Sequence, residues 1–276
     1  LRLAALLSFS LILPWPAQAE TRLLDFLGQE ACAVGPATRD KALAAGIRAL
    51  EFDAFMDNAA TTREGAWLVI APEDCTILMP KIGTELSFTD PDIAALISGP
   101  EGVDDYSGPG CFIGYVDDMV RALMKSRGWD EAKANREYFR LLGAGFASGE
   151  VGFYGENPLE TPYSSRYIGP GCDQGPGVAE IRASHDFLTA HFDQIIREAG
   201  SYVACKEGAA ISSGWIGPIQ QDWSERGAKN VWLVVELLFL SMAAGWQQGW
   251  DHEKKGTPRP PLCREQPLEQ DWSRME

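Results

Sequence analysis

Apolar and polar positions along this chain repeat mainly with the period of an α-helix. Val116, Met119, Val120, Leu123 and Met124 fall at i, i+3, i+4, i+7 and i+8, a single stripe along one helix face. Asp130 offers an N-cap carboxylate to a second helix running through Tyr138, Phe139 and Leu142 toward Phe146. A third helix is predicted over 178–199 and a short one over 219–226. Asn230 is placed to cap an apolar helix from Val231 toward Trp250.

Nearer the start, helices are predicted over 21–29, from Pro36 to about Ala45, and over 51–60. Phe52, Phe55 and Met56 sit at helical spacing in the last of these. Trp67–Ile70 and Cys75–Met79 then read as two strands around the turn Ala71-Pro72-Glu73-Asp74. Residues 149–177, rich in Gly, Pro and Tyr, read as one long loop. The fold class expected is mainly α with a small β-hairpin: N-terminal helices plus hairpin, followed by a larger helical domain.

The first nineteen residues stand apart. Arg2, an apolar run from Leu3 to Leu13, Pro14 and Pro16, then Ala17-Gln18-Ala19 form the three-part pattern of a secretory signal cleaved before Glu20. The organisation expected is a signal peptide over 1–19, a helical and hairpin subdomain over 20–88, a helical domain over 89–255 and a Pro-rich tail over 256–276. The run Val231–Trp246 carries Glu236 near its centre. At ~1.5 Å per residue it is too short for a ~30 Å hydrocarbon core, so a buried helix is expected and no transmembrane anchor in the mature form.

Six cysteines, Cys32, Cys75, Cys111, Cys172, Cys205 and Cys263, are an even set in a chain expected to be exported. There is no Cys-x-x-Cys, and no His stands at zinc-ligand spacing to a cysteine, so disulfides are preferred to a metal site. Sequence order gives the pairing 32–75, 111–172 and 205–263. Export makes a periplasmic or secreted location the expectation. A net charge of −15 and a pI near 4.7 argue against nucleic acid and anionic membrane as partners.

Standard chemistry is hard to find. Gly145-Phe146-Ala147-Ser148-Gly149 has the wrong spacing for a nucleophile elbow. Gly143, Gly145, Gly149 and Gly152 follow a helix rather than a strand, unlike a dinucleotide fingerprint, and no cofactor is implied. His191 shares a stripe with Phe187, Leu188, Ile195 and Ile196; it is expected as a core residue, with a tuned general acid or base as the functional alternative. Glu236 shares a stripe with Trp232, Phe239, Ala243 and Trp246. Isolated burial would raise its pKa into the range of a general acid, whereas pairing with Arg182, Arg226 or Lys229 would make it structural. The structural alternative is preferred.

Glu150 and Glu156 lie in the aromatic-rich stretch with Tyr154, Tyr163 and Tyr167, and carboxylates among aromatic faces suit sugar binding. Asn135 through Glu160 resembles a segment of one lytic transglycosylase class in which a Tyr-Tyr-Glu-Pro loop follows a helix. That family's acidic catalytic stretch has no counterpart downstream, so no catalytic residue is carried over. With no catalytic motif in a well-formed globular sequence, the leading expectation is a non-enzymatic binding or envelope-associated module, its partner an envelope protein or glycan. The alternative is a cell-envelope glycan hydrolase using the loop carboxylates or Glu236.

Overall fold

The cysteines pair in sequence order: Cys32–Cys75, Cys111–Cys172 and Cys205–Cys263. This is read from a computed structural model that describes residues 15–98, 111–114, 116–154, 164–174, 177–209, 218–228, 232–251 and 253–269. Helices predominate, and small antiparallel sheets fill in around them. The N-terminal part contains α1 (Trp15–Gln29), β1 (Ala33–Val34), α2 (Thr38–Ala44), α3 (Ala49–Asn58), β2 (Thr61–Glu64) and β3 (Trp67–Ile70). There follow α4 (Pro91–Ala94), β4 (Ile97–Ser98), β5 (Phe112–Ile113), α5 (Val116–Arg127) and α6 (Glu131–Ser148). The chain then runs through β6 (Val151–Tyr154), β7 (Ser164–Tyr167), α7 (Val178–Gly200) and α8 (Pro218–Glu225). It closes with α9 (Leu233–Ala243), β8 (Gln247–Gln248) and β9 (Thr257–Pro258).

The helical stripes fold as their spacing dictates. On α5, Met119, Val120 and Leu123 are buried. Asp130 caps α6, its side chain accepting the Lys133 N–H at 2.7 Å, and Gly149 ends that helix at φ +74°. α6 and α9 approach closely because Gly143 has no side chain: a Cβ there would lie 2.3 Å from that of Ala243. One core joins Leu23 and Leu27 of α1 with residues of α5, α6, α7 and α9, and with Leu262 and Cys263.

Three local expectations are corrected. The hairpin partner of β3 is the upstream Thr61–Glu64, paired from Thr61↔Ile70 to Glu64↔Trp67, not Cys75–Met79. The downstream segment gives its amides elsewhere: Ile77 N–H to Oδ1 of Asp193 at 2.7 Å and Leu78 N–H to the Gly28 carbonyl at 3.1 Å. The stretch read as a loop over 149–177 carries β6 and β7, two strands of a sheet ordered β4-β5-β7-β6. The expected Pro-rich tail is structural as far as Cys263: Pro258 through Cys263 are buried, because this segment packs on the end of α7. A Cβ at Gly200 would stand 1.6 Å from the Pro261 carbonyl oxygen.

The apolar helix ends at Ala243 rather than near Trp250, followed by Gly245 at φ +72° and the Trp246 N–H bonded to the Ser241 carbonyl. The expected cap, Asn230, lies outside the described residues. Among the described residues, no helix is long and apolar enough to cross a membrane.

Candidate functional site

The C-terminal half of α6 presents Ala144, Gly145 and Ser148 on one side, a row of small side chains that leaves space beside the helix. Gly145 also lets neighbours close in, since a Cβ there would meet Val151 at 2.4 Å and the Phe88 ring at 3.0 Å. The opposite wall is the extended segment with Ile82, Thr84, Leu86, Ser87, Phe88 and Thr89. Glu150, Tyr167 and Pro170 complete a cleft of about 430 Å³. That volume is within the ~300–1,000 Å³ range of small-molecule sites.

Covalent and hydrogen-bonded supports hold the third wall. Tyr167 donates its N–H to the Cys111 carbonyl at 2.8 Å, and the Cys111–Cys172 disulfide closes the loop beyond it. Ile168 N–H donates to the Glu150 carbonyl at 2.7 Å. The Phe88 and Tyr167 rings stack with centroids 4.8 Å apart. Burial, with the Glu150 charge as the lesser cause, raises the Tyr167 phenol above its ordinary pKa.

Among the described residues the polar lining consists of hydroxyls and one charge. Ser87 Oγ and Thr89 Oγ1 lie 2.8 Å apart, and Ser148 Oγ donates to the Gly145 carbonyl at 3.2 Å. Thr84 Oγ1 accepts the Leu86 N–H at 3.1 Å. Behind it, Glu137 is buried but occupied: Arg140 Nη1 reaches Oε1 at 2.8 Å and the Glu85 N–H reaches Oε2 at 3.1 Å. Glu150, by contrast, is exposed, and its carboxylate meets no cationic side chain among the described residues.

The other sequence candidates do not join this cleft. Glu236 is 4% exposed on α9 and its Oε1 accepts the Phe153 N–H of β6 at 3.3 Å. Burial pushes its pKa up from 4.5 to about 8, only partly offset by that bond. The rings of Phe139, Phe146 and Phe153 stack or tilt against Phe239 on the same helix, at 5.4, 5.5 and 6.1 Å. Arg226, one expected partner, is instead bound to Glu198, with Nη2 to Oε2 at 2.7 Å, and Trp223 Nε1 donates to the same oxygen at 3.0 Å. Lys229 and Glu156 lie outside the described residues.

His191 is exposed rather than in the core. α7 is interrupted at this residue (φ −122°, ψ 16°), which turns it away from the buried row of Leu188, Phe192, Ile195 and Ile196. Its ring rests 4.8 Å from that of Phe187. His185, not singled out by the sequence, is half-buried with its ring against Gly149, where a Cβ would come within 2.6 Å of it. Burial lowers its pKa. Among the described residues, no three His, Cys, Asp or Glu side chains gather as a metal site.

Of the candidates named from the sequence, Glu150 lies on this cleft, whereas the wall made by Thr84 to Thr89 carried no sequence signal. No motif could have marked it, because three segments far apart in sequence build the cleft. No family model, curated protein or solved structure matches this chain. The short transglycosylase resemblance adds nothing to the site.

Proposed function

We propose that the protein is an exported, disulfide-held binding module whose ligand is a hydroxyl-rich small molecule or glycan fragment seated in the α6 cleft. The observation that carries this reading is the lining itself: Thr84, Ser87, Thr89 and Ser148 hydroxyls around the Phe88–Tyr167 stack, with a single carboxylate among the described residues. Hydroxyls and aromatic rings complement the polar edges and C–H faces of sugars. Glycoside hydrolysis ordinarily needs two carboxyl groups flanking one bond. Glu236 is buried against β6 and is not on the cleft wall, which supports binding over hydrolysis.

Calorimetric titration with a panel of soluble envelope-type oligosaccharides tests the reading, with chromatography of the same mixtures for cleavage products. Saturable binding that Ala144→Phe removes, with the oligosaccharides intact, is the expected result. No binding by any of them, or their cleavage by the wild-type protein, overturns it.

A further inference from the structure

We infer that the cleft ligand carries a protonated amine, the amino-sugar class, held by the Glu150 carboxylate. This rests on the binding function proposed above and goes further by fixing the ligand's charge. Glu150 stands on the cleft wall, and among the described residues no basic side chain shares that lining. The other acids nearby are occupied: Glu137 by Arg140 and the Glu85 amide, Glu85 by Lys133 at 2.9 Å. Among the described residues Glu150 is therefore the carboxylate left to face a ligand, and an ionised carboxylate only accepts hydrogen bonds. An ammonium group meets it with both charge and donors, a stronger match than a neutral hydroxyl.

The aromatic pair narrows the class. Phe88 and Tyr167 cover each other's faces at an interplanar angle of 29°, so they do not form the open cage that encloses a quaternary ammonium. Their edges, with the hydroxyls of Ser87, Thr89 and Ser148, suit a ring bearing hydroxyls beside its amine. The chain's net charge of −15 also draws cationic ligands toward the surface, an attraction that salt weakens.

The test uses glucosamine oligomers and their fully N-acetylated counterparts, titrated into the full mature protein at pH 6 in low salt. Wild type should bind the amine form about tenfold tighter, the scale of one charge-assisted hydrogen bond. Glu150→Gln, at an exposed position, should keep the fold by circular dichroism and bring the two forms to parity. Glu73→Gln, an exposed acid off the cleft, should leave the preference intact. Equal binding of both oligomers by wild type overturns the amine assignment and leaves the binding function standing. A preference that survives Glu150→Gln, or is lost in Glu73→Gln, also overturns it by assigning the effect to overall charge. Binding of neither oligomer removes this inference, and the neutral panel then decides whether the binding function goes with it.

Discussion

Arg259 Nη1 donates to Oε2 of Glu30 at 2.7 Å, tying the C-terminal segment to the end of α1 across 229 residues of chain. The guanidinium is 3% exposed and lies 5.4 Å from the Trp67 ring and 6.0 Å from the Trp246 ring. Burial lowers its pKa, opposed by Glu30, yet a guanidinium stays charged throughout the accessible range. Removing one member of a buried pair typically costs about 3–5 kcal/mol, because the other charge is left without compensation. Lys41 also reaches Glu30, at 3.2 Å, so Arg259→Ala is expected at the lower end of that range. Urea unfolding measures it, and a loss below about 1 kcal/mol, the scale of a surface pair, would show that the contact is not structural.

Glu236 gives the protein an unusual pH dependence. Its folded pKa of about 8 lies above the ordinary 4.5, so the folded state holds a proton that the unfolded chain releases first. This group's contribution to stability is therefore greatest below pH 4.5, falls as pH rises toward 8, and is constant above; the total is a few kcal/mol. Glu236→Gln mimics the neutral acid and removes that slope. The variant should be at least as stable as wild type at pH 7–8 and converge with it near pH 4. A Gln variant several kcal/mol less stable at pH 7 would mean that the carboxylate is ionised and paired.

Gly200 tests the docking of the 258–263 segment. Helix propensity alone favours alanine over glycine by roughly 1 kcal/mol. Here the added Cβ would lie 1.6 Å from the Pro261 carbonyl oxygen, which is backbone and has little room to yield. Gly200→Ala is expected to destabilise by about 1–3 kcal/mol, the usual scale of overpacking. Thermal unfolding that shows a gain instead would mean the segment moves away without cost.

The expected leader can be tested by N-terminal sequencing of protein recovered outside the cytoplasm, which should begin at Glu20. α1 runs from Trp15 through that point, but its core residues Leu23 and Leu27 lie beyond it. Chains starting at Trp15 and at Glu20 should both fold, because each retains Leu23 and Leu27 in the core. Recovery of the export product with residues 1–19 intact would overturn the leader.

Local and chemical signals in the sequence were readable, and partnerships made at a distance were not. The α5 stripe and the Asp130 cap follow from spacing within short windows, and the cysteine pairing follows the order of the cysteines along the chain. β2 escaped notice because Thr61-Thr62-Arg63-Glu64 is a mostly exposed edge strand with no apolar face to reveal it. Cys75–Met79 has strand composition, yet the Asp193 side chain and the Gly28 carbonyl take amides that a sheet would use. His191 fits an unbroken helix stripe, and the interruption of α7 at that residue is what exposes it. Of the cleft, Glu150 was legible as an acid among aromatics. Ser148 was seen only as a failed motif, and Thr84, Ser87, Phe88 and Thr89 carried no signal until the fold set them against α6.

The cysteines pair two by two in order along the chain, so the three closed loops lie one after another and none encloses a cysteine of another pair. A chain emerging N-terminus first can seal Cys32 to Cys75 before Cys111 appears, and Cys111 to Cys172 before Cys205. At each stage the available partner is the native one. Oxidation in order of emergence therefore yields the native connectivity, and the chain requires an electron acceptor for each new bond rather than a catalyst that reshuffles earlier ones.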